Sequence, residues 1–221
     1  MSSTSWQLVR SSLWPLAQGM LLGTIPLTAA AFALGMVLAL IVAVARISRV
    51  RALRAISTAY VSLIRGTPLL LQLFIIFYGL PSLGIVLPPW PSAILGFGLN
   101  LGAYASETLR AAILGVPRGQ WEAASTVGLS RAMTMRRIVL PQAVRHALPP
   151  LGNSLISLVK DTSLASAVLV TEILRRAQDI AAPTFAFFLL YNLAAVYYWV
   201  LCQALTVVQG RMERRLARST V

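Results

Sequence analysis

Three long runs of this chain carry no charged side chain: Ser11 to Ala45 (35 residues), Gly66 to Ser106 (41 residues) and Ile180 to Gly210 (31 residues). A helix needs about 20 apolar residues to cross a hydrocarbon core of about 30 Å, so each run holds at least one crossing. The remaining composition agrees. Hydrophobic residues make up 57% and charged residues 11%, against about 25% charged in a soluble domain. Mean hydropathy is +0.76. The net charge is 19 − 6 = +13, yet a soluble nucleic-acid-binding protein would place such charge on a polar surface. The sequence therefore predicts an all-α integral membrane protein with basic loops and no nucleic-acid partner. The first run exceeds a signal-peptide core, although Ala29-Ala30-Ala31 offers a cleavage-like patch, and it reads as a retained helix.

Rare residue types remove several chemistries. Cys202 is the single cysteine, His146 the single histidine and Lys160 the single lysine. Disulfide frameworks, zinc clusters, histidine metal sites and Ser-His triads all need more than this. A P-loop needs a Gly-Lys-Ser/Thr step, whereas Lys160 lies between Val159 and Asp161. Nucleotide use must come from a partner.

Breakers and charge clusters divide the chain into about five crossings. Trp6, Val9 and Leu13 recur at helical spacing, which predicts a short interfacial helix over residues 1–15. The first crossing spans about 16–45 and ends at the arginines 46, 49, 51 and 54. The second spans about 57–80, interrupted at Arg65-Gly66-Thr67-Pro68, because proline biases the residue before it away from α geometry. Residues 81–91 form a turn-rich loop, and the third crossing covers about 92–114. A fourth segment, about 143–170, contains Pro149-Pro150, Gly152-Asn153 and Lys160-Asp161, which predicts a helix broken beside a cavity. The fifth, about 183–210, leads into a basic tail at 211–221.

The loop at 46–54, the segment 115–145 and the tail together hold 13 of the 19 basic residues. By the positive-inside rule these faces are cytoplasmic, and five crossings put the N-terminus outside and the C-terminus inside.

The longest polar segment, about 115–141, carries Glu122-Ala123-Ala124, Gly128 six residues after Glu122, and Ile138-Val139-Leu140-Pro141. Gln120 to Thr126 reads as a short helix, Gly128 as a tight turn, and Pro141 as a stop before the next crossing. Such a segment suits docking into a groove on a cytoplasmic partner, with Glu122 available to a basic residue there. The pattern resembles the cytoplasmic loop signature of binding-protein-dependent ABC importer permeases. Arg65-Gly66-Thr67-Pro68-Leu69 with Gln72, Ala103-Tyr104-Ala105-Ser106-Glu107 with Arg110, Pro149, Asn153 and Lys160-Asp161-Thr162-Ser163-Leu164 extend the resemblance to the polar amino acid branch. The segment 156–164, and Gly79-Leu80-Pro81 after the second crossing, are most similar to cystine-type permeases. The likeness spans about 60–180. Ala111 departs from the glycine many relatives carry there.

The resemblance implies one transmembrane permease domain of the type I ABC importer fold in the bacterial inner membrane. It implies a transport subunit and not an enzyme, with ATP and Mg bound by a cytoplasmic ATPase dimer and no cofactor in this chain. Its partners would be a second permease copy, identical or different, an external solute-binding protein and an amino acid. Coupling would fall to Glu122, Ala123, Ala124, Gly128, Ile138, Leu140 and Pro141. Cystine is the first substrate expected, with glutamine, glutamate, arginine or opine-like compounds as alternatives. A passive channel would leave the docking loop unexplained, and an intramembrane enzyme using Glu107 or Asp161 lacks a nucleophile constellation.

A zwitterionic substrate needs an anionic or carbonyl partner for its ammonium and donors for its carboxylate. Polar residues at membrane depth are the candidates: Thr67, Gln72, Asn100, Tyr104, Glu107, Asn153, Asp161, Thr162 and Ser163. Backbone groups freed at Gly66-Thr67-Pro68 are a further option. Alternatives stand beside these. Glu107 and Arg110, at i and i+3, would pair with each other. Lys160-Asp161 would form a pair at a helix end, and Arg65 would snorkel to the interface. Glu172 with Arg175 and Arg176 would form a solvated outer face.

Overall fold

The computed structural model describes residues 3–218, and these are helical throughout their ordered elements. α1 (Ser3–Gln18), a π turn (Gly19–Thr24) and α2 (Ile25–Ile47) follow one another without a gap. The expected interfacial helix and first crossing are thus one continuous rod. Ser48 to Val50 turn the chain into α3 (Arg51–Arg65), which meets α4 (Leu69–Phe74) and its continuation to Leu83 at a bend of 105°. Gly84 adopts φ +80°, and extended residues then lead to α5 (Pro89–Leu114). After α6 (Arg118–Thr126) come α7 (Arg131–Thr134), a π turn (Met135–Val139) and α8 (Leu140–Asp161). A 3₁₀ segment (Thr162–Val168), α9 (Ile173–Thr184) and α10 (Phe187–Arg218) complete the chain.

α5 lies at the centre, packed along α2, and also touching α3, α4 and α8. Small residues allow the close approach: a Cβ at Gly98 would sit 2.6 Å from Leu34 Cδ2, and one at Gly35 would sit 2.7 Å from Leu101 Cδ2. Without a hydrophobic drive between helices in lipid, such close van der Waals contact is one of the forces that hold them together. Phe97, Leu101, Leu27, Leu73, Leu151 and Leu158 form the main core. A second core, built from Leu16, Ile173, Ala177, Ala181, Leu190 and Ala194, joins α1, α9 and α10. Outward-facing Leu22, Ile41, Phe188 and Trp199 are exposed, an apolar exterior that suits lipid.

Two helices, Trp6–Ile47 and Phe187–Arg215, are each long and apolar enough to cross a membrane. Two bent pairs pass the same test together: Arg51–Arg65 with Leu69–Leu83, and Arg131–Val168 with Ile173–Thr184. α5 is long enough, at about 1.5 Å per residue over 26 residues, but Asn100, Glu107 and Arg110 make it more polar.

Two expectations about breaks need correction. α8 runs straight through Pro149 and Pro150, and the break comes at Leu169, which takes φ +65° after the 3₁₀ segment. Nor does Pro141 stop its helix: it lies in the first turn of α8, directly after the π turn. The wider i to i+5 bonding there, with Leu140 N–H donating to Met135 O, absorbs the register change that a proline requires.

Candidate functional site

Pro68 has no N–H, so the carbonyl of Ile64, four residues earlier, loses its helical partner. Gln72 supplies the replacement. Its Nε2 donates to Ile64 O at 2.8 Å, to Thr67 Oγ1 at 2.9 Å and to Thr67 O at 3.1 Å. Asn100 Nδ2 donates to Gln72 Oε1 at 3.1 Å, which ties the bend to α5. The carbonyls freed by the proline are therefore already bonded, and Gln72 stands behind the bend as its brace.

In front of the bend lies a cavity of about 500 Å³. α5 contributes Phe97, Asn100, Leu101 and Tyr104, which share one face at i, i+3, i+4 and i+7. α8 contributes Asn153, Ser154, Ser157, Leu158 and Asp161, again one face, and Thr67 to Leu69 close the third side. Asp161 is the one carboxylate among these lining residues. The Arg65 guanidinium sits 5.2 Å from the centroid of the Tyr104 ring, a cation–π distance at the cavity wall. Asn153 Oδ1 accepts from Gln209 Nε2 at 3.1 Å.

Of nine substrate-path candidates, Thr67, Asn100, Tyr104, Asn153 and Asp161 meet at this cavity. Gln72 is buried one layer behind. Glu107 lies outside, bonded to Arg46 of α2 and to Arg110, whose Nε donates to Oε1 at 3.1 Å. Thr162 is buried and donates to Val159 O at 2.7 Å, while Ser163 donates to Lys160 O at 2.8 Å. Neither lines the cavity. Among the described residues Lys160 makes no ion pair with Asp161. Ser154 and Ser157 were missed by the sequence reading, although Asn153 and Asp161 at i and i+8 already mark the face that carries them.

The segment 115–141 is built around α6. Gly128 adopts φ +76°, with its N–H bonded to Ser125 O at 3.1 Å and the Leu129 N–H bonded to Ala124 O at 3.0 Å. This pair of bonds is a Schellman ending, in which the left-handed position favours glycine. Ser130 caps α7, its Oγ accepting from Met133 N at 3.3 Å. Ala124 is buried, whereas Glu122, Ala123, Val127 and Gly128 are exposed. Trp121 anchors α6 on Val116, Val139 and Ala143. Ile138 is half-buried in the π turn, and Leu140 and Pro141 are exposed at the start of α8. The result is a held helix with an outward face of small residues and one carboxylate.

The sequence expectation of a solvated face at Glu172 is overturned. Glu172 is buried and caps α9, accepting from Leu174 N at 2.9 Å and Arg175 N at 2.7 Å. Arg175 pairs with Asp179 at 3.1 Å on the outer side instead.

Comparison with known proteins places this architecture. Residues 31–218 match the family described as binding-protein-dependent transport system inner membrane component. The L-cystine transport system permease protein TcyB of Bacillus subtilis (strain 168) is 54% identical over 214 residues, 96% of this chain and 92% of the relative. The probable amino-acid ABC transporter permease protein YckA of the same organism is 43% identical, covering 83% of this chain and 81% of the relative. The crystal structure of an amino acid ABC transporter with histidines superposes with a TM-score of 0.91 at 31% identity, covering 97% of this chain and all of that one. This chain belongs to the binding-protein-dependent transport system inner membrane component family, as a transport subunit and not an enzyme.

Proposed function

We propose that this chain is the permease subunit of an ATP-driven importer for L-cystine. The likeness to the cystine permease supports the substrate, and one observation carries the path: the cavity between the α3–α4 bend, α5 and α8 has a polar lining with one carboxylate, Asp161, and Arg65 stacks on Tyr104 of its wall. Asp161 receives the substrate ammonium. Arg65 and the hydroxyls of Ser154 and Ser157 face the carboxylate, and Thr67, Asn100, Tyr104 and Asn153 complete the polar lining.

The chain crosses the bacterial inner membrane five times, with the N-terminus outside and residues 115–141 and the tail inside. α6 docks through Glu122, Ala123 and Gly128 into a cytoplasmic ATPase, with the buried Ala124 and with Ile138, Leu140 and Pro141 supporting it. The ATPase subunits bind ATP and Mg and close together, and the helices rock between inward- and outward-facing states. A second permease copy and an external solute-binding protein complete the assembly.

The test is uptake in proteoliposomes holding the permease, the ATPase and saturating binding protein. Asp161→Asn removes a charge-assisted bond of about 1.5–3 kcal/mol, so the apparent affinity of the membrane site falls roughly 10- to 150-fold. Substrate binding to the external protein is unchanged. Normal uptake by Asp161→Asn overturns the site. Competition by glutamine, glutamate or arginine in preference to cystine overturns the substrate. Labelling of a cysteine at position 84 only from the cytoplasm, in a Cys202→Ser background, overturns the topology.

A further inference from the structure

A second polar cavity lies away from the substrate path. It occupies about 600 Å³ between the end of α2, the end of α5, and the α6–α7 segment. Sites for small ligands span about 300–1,000 Å³. Arg49 of the turn after α2, Arg118 at the start of α6 and Arg131 at the start of α7 line it, with Trp121. Among the described residues none of these arginines meets a carboxylate, and Glu107, further back on α5, is committed to Arg46 and Arg110. Three cations that converge without a counter-ion repel one another, so the cavity favours an anion with several acceptor oxygens.

The rest of the lining indicates which anion. Ile113 and Val116, at the point where α5 ends, give the cavity an apolar floor. Trp121 is an amphipathic ring of the kind enriched at headgroup level. A soluble anion has no use for such a floor, whereas a glycerophospholipid has an apolar portion next to its phosphate. An acidic protein surface would meet the arginines but leave the floor open.

We propose that this cavity binds the phosphate headgroup of an anionic phospholipid of the cytoplasmic leaflet. The lipid then bridges α2, α5 and α6, so it steadies the docking helix against the membrane helices. The assignment to that leaflet rests on the proposed topology, but the binding site itself does not.

The experiment uses the full chain purified in neutral detergent, with native mass spectrometry during titration with phosphatidylglycerol or phosphatidylcholine. At the contribution expected for each basic residue near an anionic headgroup, Arg118→Gln/Arg131→Gln weakens phosphatidylglycerol binding roughly 30-fold. Arg214→Gln/Arg215→Gln, which removes the same charge from the tail, leaves it unchanged. Arg118→Lys/Arg131→Lys retains binding and shows that the Gln variant's loss follows charge. Phosphatidylcholine is not retained by any variant.

Equal losses in the cavity and tail variants, or none in either, overturn the proposal. Displacement of the lipid by millimolar inorganic phosphate assigns the cavity to a free anion. Loss of ATPase co-purification in the Gln variant, with lipid binding intact, assigns it to the partner protein. Impermeant labelling of a cysteine at position 119 reports the side of the membrane separately. An external position 119 overturns the topology while leaving the detergent result standing.

Discussion

Tyr198 on α10 donates its phenolic hydrogen bond to the carboxylate of Glu172, which also caps the first turn of α9. The first rod joins the same point. A Cβ at Gly23 would come within 2.4 Å of Thr171 O, and Thr24 Oγ1 lies 3.5 Å from Ile173 N. The buried carboxylate thus ties α9 to α10, and the backbone on either side of it meets the first rod across 149 residues of chain. A buried anion is costly unless its oxygens are bonded, and here both accept.

Glu172→Ala leaves the Leu174 and Arg175 N–H groups and the Tyr198 hydroxyl unpaired. Each such loss costs about 1–3 kcal/mol, so the variant is expected to lose about 3 kcal/mol or more. Tyr198→Phe removes one donor and is expected to lose about 1 kcal/mol. Thermal unfolding in detergent measures both, and the reverse ranking would contradict the capping role.

Glu107 holds α2 to α5 through Arg46, and it also binds Arg110. Glu107→Gln is expected to cost about 1–2 kcal/mol, because both arginines lose a partly buried counter-ion. The double variant Arg46→Gln/Glu107→Gln should lose less than the sum of the two single changes. Substrate affinity in the uptake assay should not move, since Glu107 lies outside the cavity. A Glu107→Gln variant with normal stability and weakened affinity would reverse this assignment.

At Gly128 the backbone, not the space, demands glycine: φ is +76° and an added Cβ would meet nothing within 4 Å. Gly128→Ala is expected to cost about 1–2 kcal/mol in the α6 ending, whereas Gly128→Asn, which tolerates the left-handed region, should come close to wild type. Co-purification of the ATPase reads the consequence. Equal behaviour of Ala and Asn would mean that the turn conformation is not what matters for docking.

Gln72→Leu conserves approximate size but leaves the Ile64 carbonyl and one Asn100 hydrogen without partners. The expected loss is about 1–3 kcal/mol. Thr67→Val should lose less, because Gln72 keeps its bonds to both backbone carbonyls. Amide hydrogen exchange across residues 64–72 should rise in Gln72→Leu and stay low elsewhere in α5. Uniform exchange changes would remove Gln72 from its bracing role.

Local signals in the sequence reached a good part of the site. Pro68 marked the bend because a missing N–H is a property of one residue, whatever packs around it. The small helix and the glycine turn of 120–128 were legible for the same reason: left-handed turns act over three to six residues, whereas the Ser130 cap that restarts the helix was not read. Five of the nine substrate-path candidates share one cavity, because a polar side chain in an apolar run needs a polar surrounding. The failures were positions where a distant partner decides. Pro149 and Pro150 looked like breakers, yet packing carries α8 through them. Glu172 beside Arg175 and Arg176 looked like a surface cluster, and only the approach of Tyr198, Gly23 and Thr24 made its burial tolerable.

The sequence by itself determined that the chain is a membrane protein, that its backbone bonds are met within helices, and where several of those helices must turn. Apolar run length, proline and glycine act locally, so no neighbour is needed to read them. Tertiary structure alone decided which polar residues share a cavity and which neutralise each other. Glu107 and Asp161 are both carboxylates on apolar helices, and nothing in their own segments ranks one above the other as a ligand. The difference arises from what lies opposite. Arg46 reaches Glu107 from another helix and leaves it occupied, while Asp161 faces open volume with no cation among the described residues bonded to it. Charge compensation acts through space, across 61 residues of chain in the case of Arg46 and Glu107, and only the folded arrangement sets those distances.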